Sequence, residues 1–365
     1  MINNTINSHV LIVAGGTGGH IFPGLAVAME LKKNGVKLSW IGTPRGLENK
    51  VVTAAEIPLF TSTFKGVRGK GFLQFFSLPW RLLIAIFEMR RIIKKIKPDF
   101  IACFGGYITV PAGLSASIMK IPFLVHEQNA VMGSSNRLLS KISNKVFVSY
   151  KDTKYASTVA KFVGNPLRDS FHATEIPEKR WSKKEGPLRI LVLGGSLGAT
   201  TINIHIPVIL ARVVKTHNLD LSILHQSGEN DQTKVKTAYK SYGLKAEVKS
   251  FVEDVIHDYI WADLVICRSG AGTVSELAAI GVGSILIPLA NAIDNHQMLN
   301  AQLLLKSGAG IVVQEKNITG NEILSFFQGS SRSSLLSYAI QARKCGSSEP
   351  ALKIANEILN ITGKE

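Results

Sequence analysis

The sequence is poor in cysteine and in long apolar runs. Its 365 residues include only three cysteines, Cys103, Cys267 and Cys345, and none of them forms a C-x-x-C pair. This spacing excludes a disulfide framework and a structural zinc site, and it favours a reducing compartment. No apolar run approaches the ~20 residues that span a bilayer, and the polar start MINNTINSH lacks the charged-then-apolar order of a signal peptide. We therefore expect a soluble or peripheral protein.

Acidic and aromatic residues are also scarce. The chain has 26 acidic residues against 42 lysines and arginines, which gives a net charge of +16, and only 7% of its residues are aromatic. Such an excess of positive charge predicts a polyanionic partner. Nine basic residues and one acid, Glu88, lie between Lys65 and Lys97, so half of the excess forms one patch. A single patch with few aromatic residues argues against nucleic acid as the partner, because nucleic-acid grooves combine basic and stacking side chains.

Short apolar runs alternate with helical patterns along the whole chain. This pattern predicts an α/β protein with two doubly wound parallel-sheet domains, because parallel strands are covered on both faces and appear as continuous apolar runs. We expect domains at 1–164 and 165–346, with a linker at roughly 165–187 that is rich in proline and charge. The predicted strands are 9–14, 37–41, 99–103, 121–126 and 145–148, followed by 188–193, 219–225, 245–250, 263–267, 284–288 and 310–313.

Glycine-rich turns follow three of these strands, at 15–19, 194–198 and 268–276. Such a turn before a helix brings backbone N–H groups and the positive end of the helix dipole close to an anion. The dinucleotide fingerprint G-x-G-x-x-G is broken at Ile21, and no G-K-[ST] follows any turn, so NAD and P-loop sites are excluded. The turns favour a sugar nucleotide instead.

Polar residues near the turns are candidate contacts for such a ligand. Glu276, six residues after Gly270, is placed to accept hydrogen bonds from ribose hydroxyls. The segment 288–297 carries amide and imidazole groups that suit neutral sugar hydroxyls, and H-E-Q-N at 126–129 directly follows a predicted strand. The nine histidines have no metal-ligand spacing, so we expect no metal.

Eight motifs, in order along the chain, together resemble the MurG family of bacterial glycosyltransferases. They are GGTGGHIFPGLAVA (15–28), FGGYITVP (104–111), HEQNAVMG (126–133), VGNPLR (163–168), LGGSLGA (193–199), HQSG (225–228), CRSGAGTVSEL (267–277) and DNHQ with NA (294–301). The resemblance implies a GT-B fold, with two Rossmann-like domains that face each other across a cleft. It places the donor mainly on residues 165–346 and the acceptor and membrane on 1–164, with a C-terminal helix at ~347–362 packing back on the first domain.

The activity that the resemblance implies is an inverting transfer in peptidoglycan synthesis. N-acetylglucosamine would move from UDP-N-acetylglucosamine (UDP-GlcNAc) to the 4-hydroxyl of the N-acetylmuramyl group of undecaprenyl-pyrophosphoryl-N-acetylmuramyl-pentapeptide, converting lipid I to lipid II without metal or cofactor. The implied location is the cytoplasmic face of the inner membrane, on anionic phospholipid, with other cell-wall and division proteins as further partners. The alternative is another GT-B sugar-nucleotide enzyme, a lipid-linked transferase or an epimerase, which should lack FGGY and HEQN.

The resemblance also assigns residues. The implied acceptor pyrophosphate cradle consists of Gly15, Gly16, Gly105, Gly106 and Tyr107. The implied donor contacts are Thr17, Gly18, Gly19, Asn129, Arg168, Ser196, Val252, Gly270, Ala271, Gly272, Thr273, Val274, Ser275, Glu276 and Gln297. Gly272 stands where the family commonly has a larger apolar residue, and the variable loop at 291–297 leaves open whether His296 or Gln297 contacts the sugar.

An inverting transfer needs a base for the attacking hydroxyl. His20 ends the first glycine turn, where a helix N-terminus favours the neutral imidazole that can accept a proton. Glu127 is the competing candidate. The charge on the departing UDP would be met by Ser196 and by the N–H groups and dipole at the start of the helix after Gly270.

The basic patch is the candidate membrane surface. A helix starting near Pro79 has Leu82, Leu83, Ile86, Met89, Ile93 and Ile96 on a predicted core face. The predicted membrane contacts, aromatic or apolar side chains interleaved with cations, are Phe75, Phe76, Trp80, Ile84, Phe87, Arg91, Lys94 and Lys95. Such a surface binds an anionic bilayer through phosphate attraction and shallow apolar burial.

Overall fold

The computed structural model describes residues 8–64, 77–195 and 198–363. Three predicted site residues, Phe75, Phe76 and Ser196, lie outside this described part. The chain divides into two compact units, an N-terminal unit of residues 1–168 and 348–365 and a C-terminal unit of residues 169–347. The acceptor and donor roles expected for them stay predictions.

The N-terminal unit contains a seven-stranded parallel sheet with the strand order β3-β2-β1-β4-β5-β6-β7. Its strands are β1 (His9–Val13), β2 (Lys37–Gly42), β3 (Leu59–Thr61), β4 (Phe100–Cys103), β5 (Phe123–Glu127), β6 (Lys145–Val148) and β7 (Lys161–Phe162). Its helices are α1 (Gly18–Lys33), α2 (Glu48–Ala54), α3 (Leu78–Ile96), α4 (Thr109–Ile118), α5 (Ser134–Leu139) and, from the end of the chain, α15 (Pro350–Thr362).

The C-terminal unit contains a six-stranded parallel sheet with the order β10-β9-β8-β11-β12-β13. Its strands are β8 (Leu188–Leu193), β9 (Leu221–Gln226), β10 (Ala246–Lys249), β11 (Leu264–Cys267), β12 (Gly283–Leu286) and β13 (Gly310–Val312). Its helices are α6 (Asp169–His172), α7 (Pro177–Trp181), α8 (Thr200–His217), α9 (Gln232–Ser241), α10 (Val255–Trp261), α11 (Ala271–Ile280), α12 (His296–Lys306), α13 (Asn321–Phe327) and α14 (Arg332–Lys344). Short 3-10 turns lie at Ile293–Asn295 and Glu315–Asn317.

Both sheets are covered on their faces by helices, which explains why most residues of the central strands are apolar. Every residue of β1, β4 and β5 is buried. On one face of the N-terminal sheet, α1 and α15 share a core that includes Leu31 and Ile354, and on the other face α3 contributes Met89 and Ile93. Two doubly wound parallel sheets confirm the predicted α/β class.

The predicted linker at 165–187 is wrong, because most of this segment folds onto the C-terminal unit as α6 and α7. The buried indole of Trp181 donates a hydrogen bond to the carbonyl oxygen of Arg332 at 3.0 Å. Nearby, Nζ of the buried Lys184 lies 3.1 Å from Oδ1 of Asp263, a fully buried carboxylate. A segment anchored by a buried aromatic residue and a buried ion pair is part of a domain rather than a flexible connection.

Candidate functional site

The first glycine turn carries the chain from β1 into α1. Gly16 has a φ of +96°, a conformation that favours glycine, and Thr17 is the extended N-cap residue of α1. The side chain of Thr17 makes no capping hydrogen bond to this helix. Gly16, Thr17 and Gly19 are exposed. The turn therefore presents uncapped N–H groups and a helix dipole to an anion.

A second glycine turn, after β4, packs directly against the first. A Cβ atom added to Gly106 would lie 2.5 Å from the carbonyl oxygen of Gly15, and one added to Gly105 would lie 2.6 Å from Nδ1 of His20. Both residues also have positive φ, +104° at Gly105 and +87° at Gly106, so only glycine fits. The structure thus brings the predicted cradle residues together, with the exposed Tyr107 directly following them.

The position of these turns in the sheet matches that of known ligand sites. β1 and β4 are neighbours at the point where the strand order reverses. Doubly wound sheets bind ligands at this point, beyond the carboxyl ends of the strands. In the C-terminal unit, β8 and β11 hold the equivalent position, and the other two predicted glycine turns follow these strands.

His20 lies in the first turn of α1 and is half-buried. Its Nδ1 is 3.1 Å from Oε1 of Gln128. The amide nitrogen of Gln128 lies 2.8 Å from the carbonyl oxygen of Phe104 and 3.1 Å from Nδ1 of His126. The sequence analysis noted H-E-Q-N as a segment but gave Gln128 no role of its own, because its place there gives no sign of the contact with His20.

His126 is fully buried below this glutamine. Its Nε2 lies 3.0 Å from the carbonyl oxygen of Gly164. Burial lowers the pKa of His126 to about 4, which outweighs the opposite effect of the hydrogen bond to Gly164. His126 is therefore neutral at physiological pH and has no access to a substrate proton.

Glu127, the second candidate base, is 2% exposed. Its carboxylate accepts hydrogen bonds from the backbone N–H groups of Asn129 and Gly133, at 3.0 and 2.9 Å, and from the side-chain amide of Asn136 at 2.8 Å. The side-chain amide of Asn129 donates to the same carboxylate at 3.1 Å. A buried carboxylate with this many donors fixes the shape of its loop. Because Glu127 is buried and its carboxylate is occupied by these donors, the structure favours the half-buried His20 as the base.

In the C-terminal unit, the turn after β11 leads into α11, whose N-cap residue is Gly270. The side chains of Ala271 and Val274 are buried, and the hydroxyl of Ser275 donates to the carbonyl oxygen of Ala271 at 2.8 Å. This stretch therefore offers a ligand mainly the N–H groups and the dipole at the start of the helix. The half-buried residues of the predicted stretch are Gly270, Gly272, Thr273 and Ser275.

Glu276 is held by a residue that the sequence analysis did not identify. The hydroxyl of Tyr259, on α10, donates to Oε2 of Glu276 at 2.9 Å. Tyr259 is fully buried, and burial together with the neighbouring Glu276 carboxylate raises its pKa well above the ordinary value. The phenol therefore stays protonated and remains a donor. The other carboxylate oxygen of Glu276 faces Gly272, where an added Cβ atom would lie 4.0 Å away.

The HQSG motif at 225–228 braces the turn after β8. The amide nitrogen of Gln226 donates to the carbonyl oxygen of Gly195 at 2.8 Å, and its side-chain oxygen accepts the N–H of Val252 at 3.3 Å. A Cβ atom on Gly198 would overlap the carbonyl oxygen of Ser227. One glutamine thus joins the glycine turn to Val252, a predicted donor contact that is itself buried.

The two predicted sugar contacts begin α12. The side-chain oxygen of Gln297 accepts a hydrogen bond from the backbone N–H of Leu289 at 2.9 Å. The backbone carbonyl oxygen of Gln297 accepts one from the hydroxyl of Ser269, also at 2.9 Å. Nδ1 of His296 lies 2.8 Å from the carbonyl oxygen of Ile293. Both side chains are therefore tied to the preceding loop.

The predicted donor residues are divided between the two units. Those in the N-terminal unit are Thr17, Gly18, Gly19, Asn129 and Arg168, and the others belong to the C-terminal unit. Arg168 is exposed and Asn129 is half-buried. Across residues 8–64, 77–195 and 198–363, no group of three or more His, Cys, Asp or Glu side chains could hold a metal ion.

Helix α3 carries the exposed apolar and basic surface. Trp80 is 71% exposed and Phe87 is 61% exposed. Ile84, Arg91, Lys94 and Lys95 are also exposed. We call this set of six residues the α3 surface. None of the helices in the described ranges has both the length and the hydropathy needed to cross a membrane.

The predicted core face of α3 is wrong at one residue, Leu83. The residues of α3 that are buried form a narrow stripe of Ala85, Met89, Ile93 and Ile96. Leu83 lies outside this stripe and is 47% exposed, beside the α3 surface. The reason is that the stripe is narrower than the face predicted from apolar spacing alone.

Comparisons with known proteins agree with the two-unit architecture. Residues 10–148 match the glycosyltransferase family 28 N-terminal domain, and residues 189–364 match the family 28 C-terminal domain. A protein of Acidovorax sp. (strain JS42) named UDP-N-acetylglucosamine--N-acetylmuramyl-(pentapeptide) pyrophosphoryl-undecaprenol N-acetylglucosamine transferase is 40% identical over 91% of this chain and 82% of its own length. The protein of the same name from Coxiella burnetii (strain RSA 331 / Henzerling II) is 40% identical over 95% of this chain and 97% of its own.

A solved structure is similar as well. The crystal structure of Acinetobacter baumannii MurG superimposes with a TM-score of 0.83 and 34% sequence identity. The match covers 97% of this chain and 99% of that one. Together with the two family 28 domains, it confirms the GT-B fold class expected from the sequence motifs.

Proposed function

Because the chain belongs to glycosyltransferase family 28, we propose that it transfers N-acetylglucosamine from UDP-GlcNAc to the 4-hydroxyl of the N-acetylmuramyl group of undecaprenyl-pyrophosphoryl-N-acetylmuramyl-pentapeptide. The relatives named for this transfer share 40% identity with the chain over nine-tenths of its length or more. Their names favour transfer over the alternative, a different sugar-nucleotide enzyme of the same fold. The enzyme is thus an N-acetylglucosaminyltransferase of peptidoglycan synthesis.

Binding of the donor by the C-terminal unit is supported by one observation. The N-terminus of α11 and an oriented carboxylate lie on the same helix. The start of α11 supplies backbone N–H groups for a diphosphate, and Tyr259 orients Glu276 on the same helix. In this proposal the carboxylate of Glu276 accepts hydrogen bonds from the two ribose hydroxyls. Gln226 also contributes to the proposed donor site, because its side chain links the turn after β8 to Val252.

The acceptor side rests on the two glycine turns of the N-terminal unit. Their contact at Gly15 and Gly106 leaves no room for side chains, so a pyrophosphate can approach the backbone closely. His20 borders this cradle and serves as the base. As the 4-hydroxyl attacks, its proton passes to His20 and its oxygen bonds to the anomeric carbon. The bond from that carbon to UDP breaks, and its electron pair leaves on the β-phosphate.

The α3 surface is proposed to hold the enzyme on the cytoplasmic face of an anionic membrane. Exposed aromatic and apolar side chains there alternate with three cations, Arg91, Lys94 and Lys95. Apolar side chains can enter the headgroup region while the cations bind lipid phosphates. Peripheral attachment suits an acceptor that carries a polyprenyl chain.

The proposed function is tested by supplying the purified chain with radiolabelled UDP-GlcNAc and a short-chain polyprenyl analogue of the acceptor. We expect a single labelled product with a β-1,4 linkage and release of UDP. An acceptor lacking the 4-hydroxyl is the control and should give none. The variant His20→Ala should lower kcat by ~10²–10⁴-fold while UDP still binds. Failure to transfer by a chain that binds UDP-GlcNAc, or conversion of the donor to an epimer, would contradict the proposal.

A further inference from the structure

The side-chain amide of Gln128 has only one orientation compatible with its neighbours. One end lies 2.8 Å from the carbonyl oxygen of Phe104 and 3.3 Å from that of His126. Carbonyl oxygens only accept hydrogen bonds, so this end must be the amide nitrogen. The amide oxygen is then the atom that lies 3.1 Å from Nδ1 of His20.

This orientation determines which nitrogen of His20 carries the proton. An amide oxygen can only accept, so Nδ1 of His20 must donate to it. A neutral imidazole has a single N–H, which leaves Nε2 with an unshared electron pair. Gly105 lies close to the same edge of the ring, since a Cβ atom there would be 2.6 Å from Nδ1 and 2.9 Å from Cε1. The glycine and the glutamine together fix both the ring and its tautomer.

The hydrogen bonds continue inward in the same sense. Nε2 of His126 faces the carbonyl oxygen of Gly164 at 3.0 Å, so this nitrogen carries the proton. Nδ1 of His126 therefore accepts, and its partner at 3.1 Å is the amide nitrogen of Gln128. Complete burial keeps this second histidine neutral. The two amide hydrogens of Gln128 are thus committed to the Phe104 carbonyl and to His126, and the amide cannot turn over without losing both.

We propose that Gln128 is a positioning residue that holds His20 in the Nδ1–H tautomer, so that Nε2 is the atom that takes the proton of the attacking hydroxyl. This inference rests on the proposed function for the identity of the hydroxyl. When Nε2 takes the proton, His20 becomes an imidazolium with two N–H groups. Its Nδ1–H still donates to the Gln128 oxygen. This oxygen stabilises the positive charge of the imidazolium, and the Gln128 side chain does not have to move. The electron pair left on the substrate oxygen forms the new glycosidic bond, and UDP departs with the pair of the broken one.

The test compares Gln128→Met, which removes the acceptor, with Gln128→Glu, which keeps an acceptor facing His20 but, like Gln128→Met, loses the N–H groups that face Phe104 and His126. Nitrogen-15 NMR of histidine-labelled protein reports which ring nitrogen is protonated, at a pH above the imidazole titration. In the parent and in Gln128→Glu we expect the His20 proton on Nδ1. In Gln128→Met we expect a mixture of both tautomers. His9, which contacts Ser39 and not this chain of hydrogen bonds, is the internal reference and should not change.

Kinetics supply the second readout. Gln128→Met should lower kcat by about 10–100-fold, the range seen when a functional imidazole at a metal centre loses its hydrogen-bond partner, with the KM for UDP-GlcNAc nearly unchanged. A purely structural role would instead change stability and both constants together. A parent spectrum with the His20 proton on Nε2 overturns the inference even if a variant fails to fold, and so does an unchanged tautomer in Gln128→Met. The NMR result needs no turnover, so a parent enzyme with the expected tautomer but no transfer would count against the proposed function alone.

Discussion

Replacing Gly105 with alanine tests whether the second glycine turn holds His20 in place. The added Cβ atom would lie 2.6 Å from Nδ1 of His20, whereas ordinary van der Waals contact begins at 3.4 Å. The ring must therefore retreat by about 0.8 Å, and a misplacement of about 1 Å near the reacting atoms can lower turnover by about 10²-fold. We expect Gly105→Ala to reduce kcat by about 10–100-fold, with UDP affinity unchanged.

A matched control separates this displacement from backbone strain. Alanine at the φ of Gly105, +104°, adds about 1–3 kcal/mol of strain, which lowers stability as well. Gly35 also has a positive φ, +75°, but a Cβ atom there would meet nothing within 4 Å. Gly35→Ala should therefore destabilise the N-terminal unit by about 1–2 kcal/mol without changing kcat.

The assay is transfer of labelled N-acetylglucosamine to the short-chain acceptor at saturating concentrations of both substrates, alongside chemical denaturation of each variant. Equal kcat values for Gly105→Ala and Gly35→Ala would refute the reasoning. So would a rise in the acceptor KM with kcat unchanged, because that result would assign Gly105 to acceptor binding rather than to the support of His20.

Three further predictions concern the donor, the membrane and acid stability. Glu276→Ala should weaken UDP binding by about 1–3 kcal/mol in calorimetry, since the carboxylate is proposed to hold the ribose. Changing Arg91, Lys94 and Lys95 together to Glu should abolish sedimentation with anionic vesicles while UDP still binds. His126 has a pKa of about 4 in the fold against 6.5 unfolded, so only the unfolded chain gains its proton between these values. His126 alone should therefore lower stability by about 3 kcal/mol as the pH drops from 6.5 to 4, and the buried His225, whose pKa is lowered to about 3, adds to the loss.

Each of these has its own control. Unchanged UDP affinity in a folded Glu276→Ala protein would remove this residue from the site. For the membrane, the same triple change to Glu at the exposed Lys236, Lys240 and Lys245 of the C-terminal unit alters the net charge equally and should leave sedimentation intact. For acid stability, His126→Asn should show a shallower loss than the parent in urea denaturation between pH 6.5 and 4, and parallel curves would contradict the assignment.

The main features of the fold could be predicted because the central strands carry their own signal. Strands such as β1 and β8 are five or six residues long and almost wholly buried, so they appear as continuous apolar runs. The edge strands β3 and β7 have only three and two residues, and each of these residues is half-buried or exposed, so the strands have no such signal and were not predicted. The segment 165–187 was mistaken for a linker because short helices with Pro177 and several charges have the same composition as one.

The candidate site could be predicted only in part, because motifs name residue types and not their hydrogen-bond partners. The glycine turns were predictable, since close backbone approach needs glycine whatever surrounds it. Tyr259 and Gln128 were not, because each acts through a neighbour that is distant in sequence, at 17 positions for Glu276 and 108 for His20. Glu127 illustrates the opposite case. Its residue type suits a base, but the donors around it are known only once the loop has folded.

The N-terminal unit is assembled from both ends of the chain, and this has a consequence for how the protein is made. Helix α15 places Ala351, Ile354 and Ile358 in the same core as Val27 and Leu31 of α1. During synthesis that helix leaves the ribosome after the whole C-terminal unit. At about 5–20 residues per second, the apolar face of α1 stays uncovered for roughly 15–65 s before α15 is synthesised. Completion of the N-terminal unit therefore waits until the whole C-terminal unit has been synthesised. A nascent chain stopped before Pro350 contains all of the C-terminal unit but leaves the α1 face of the N-terminal unit uncovered.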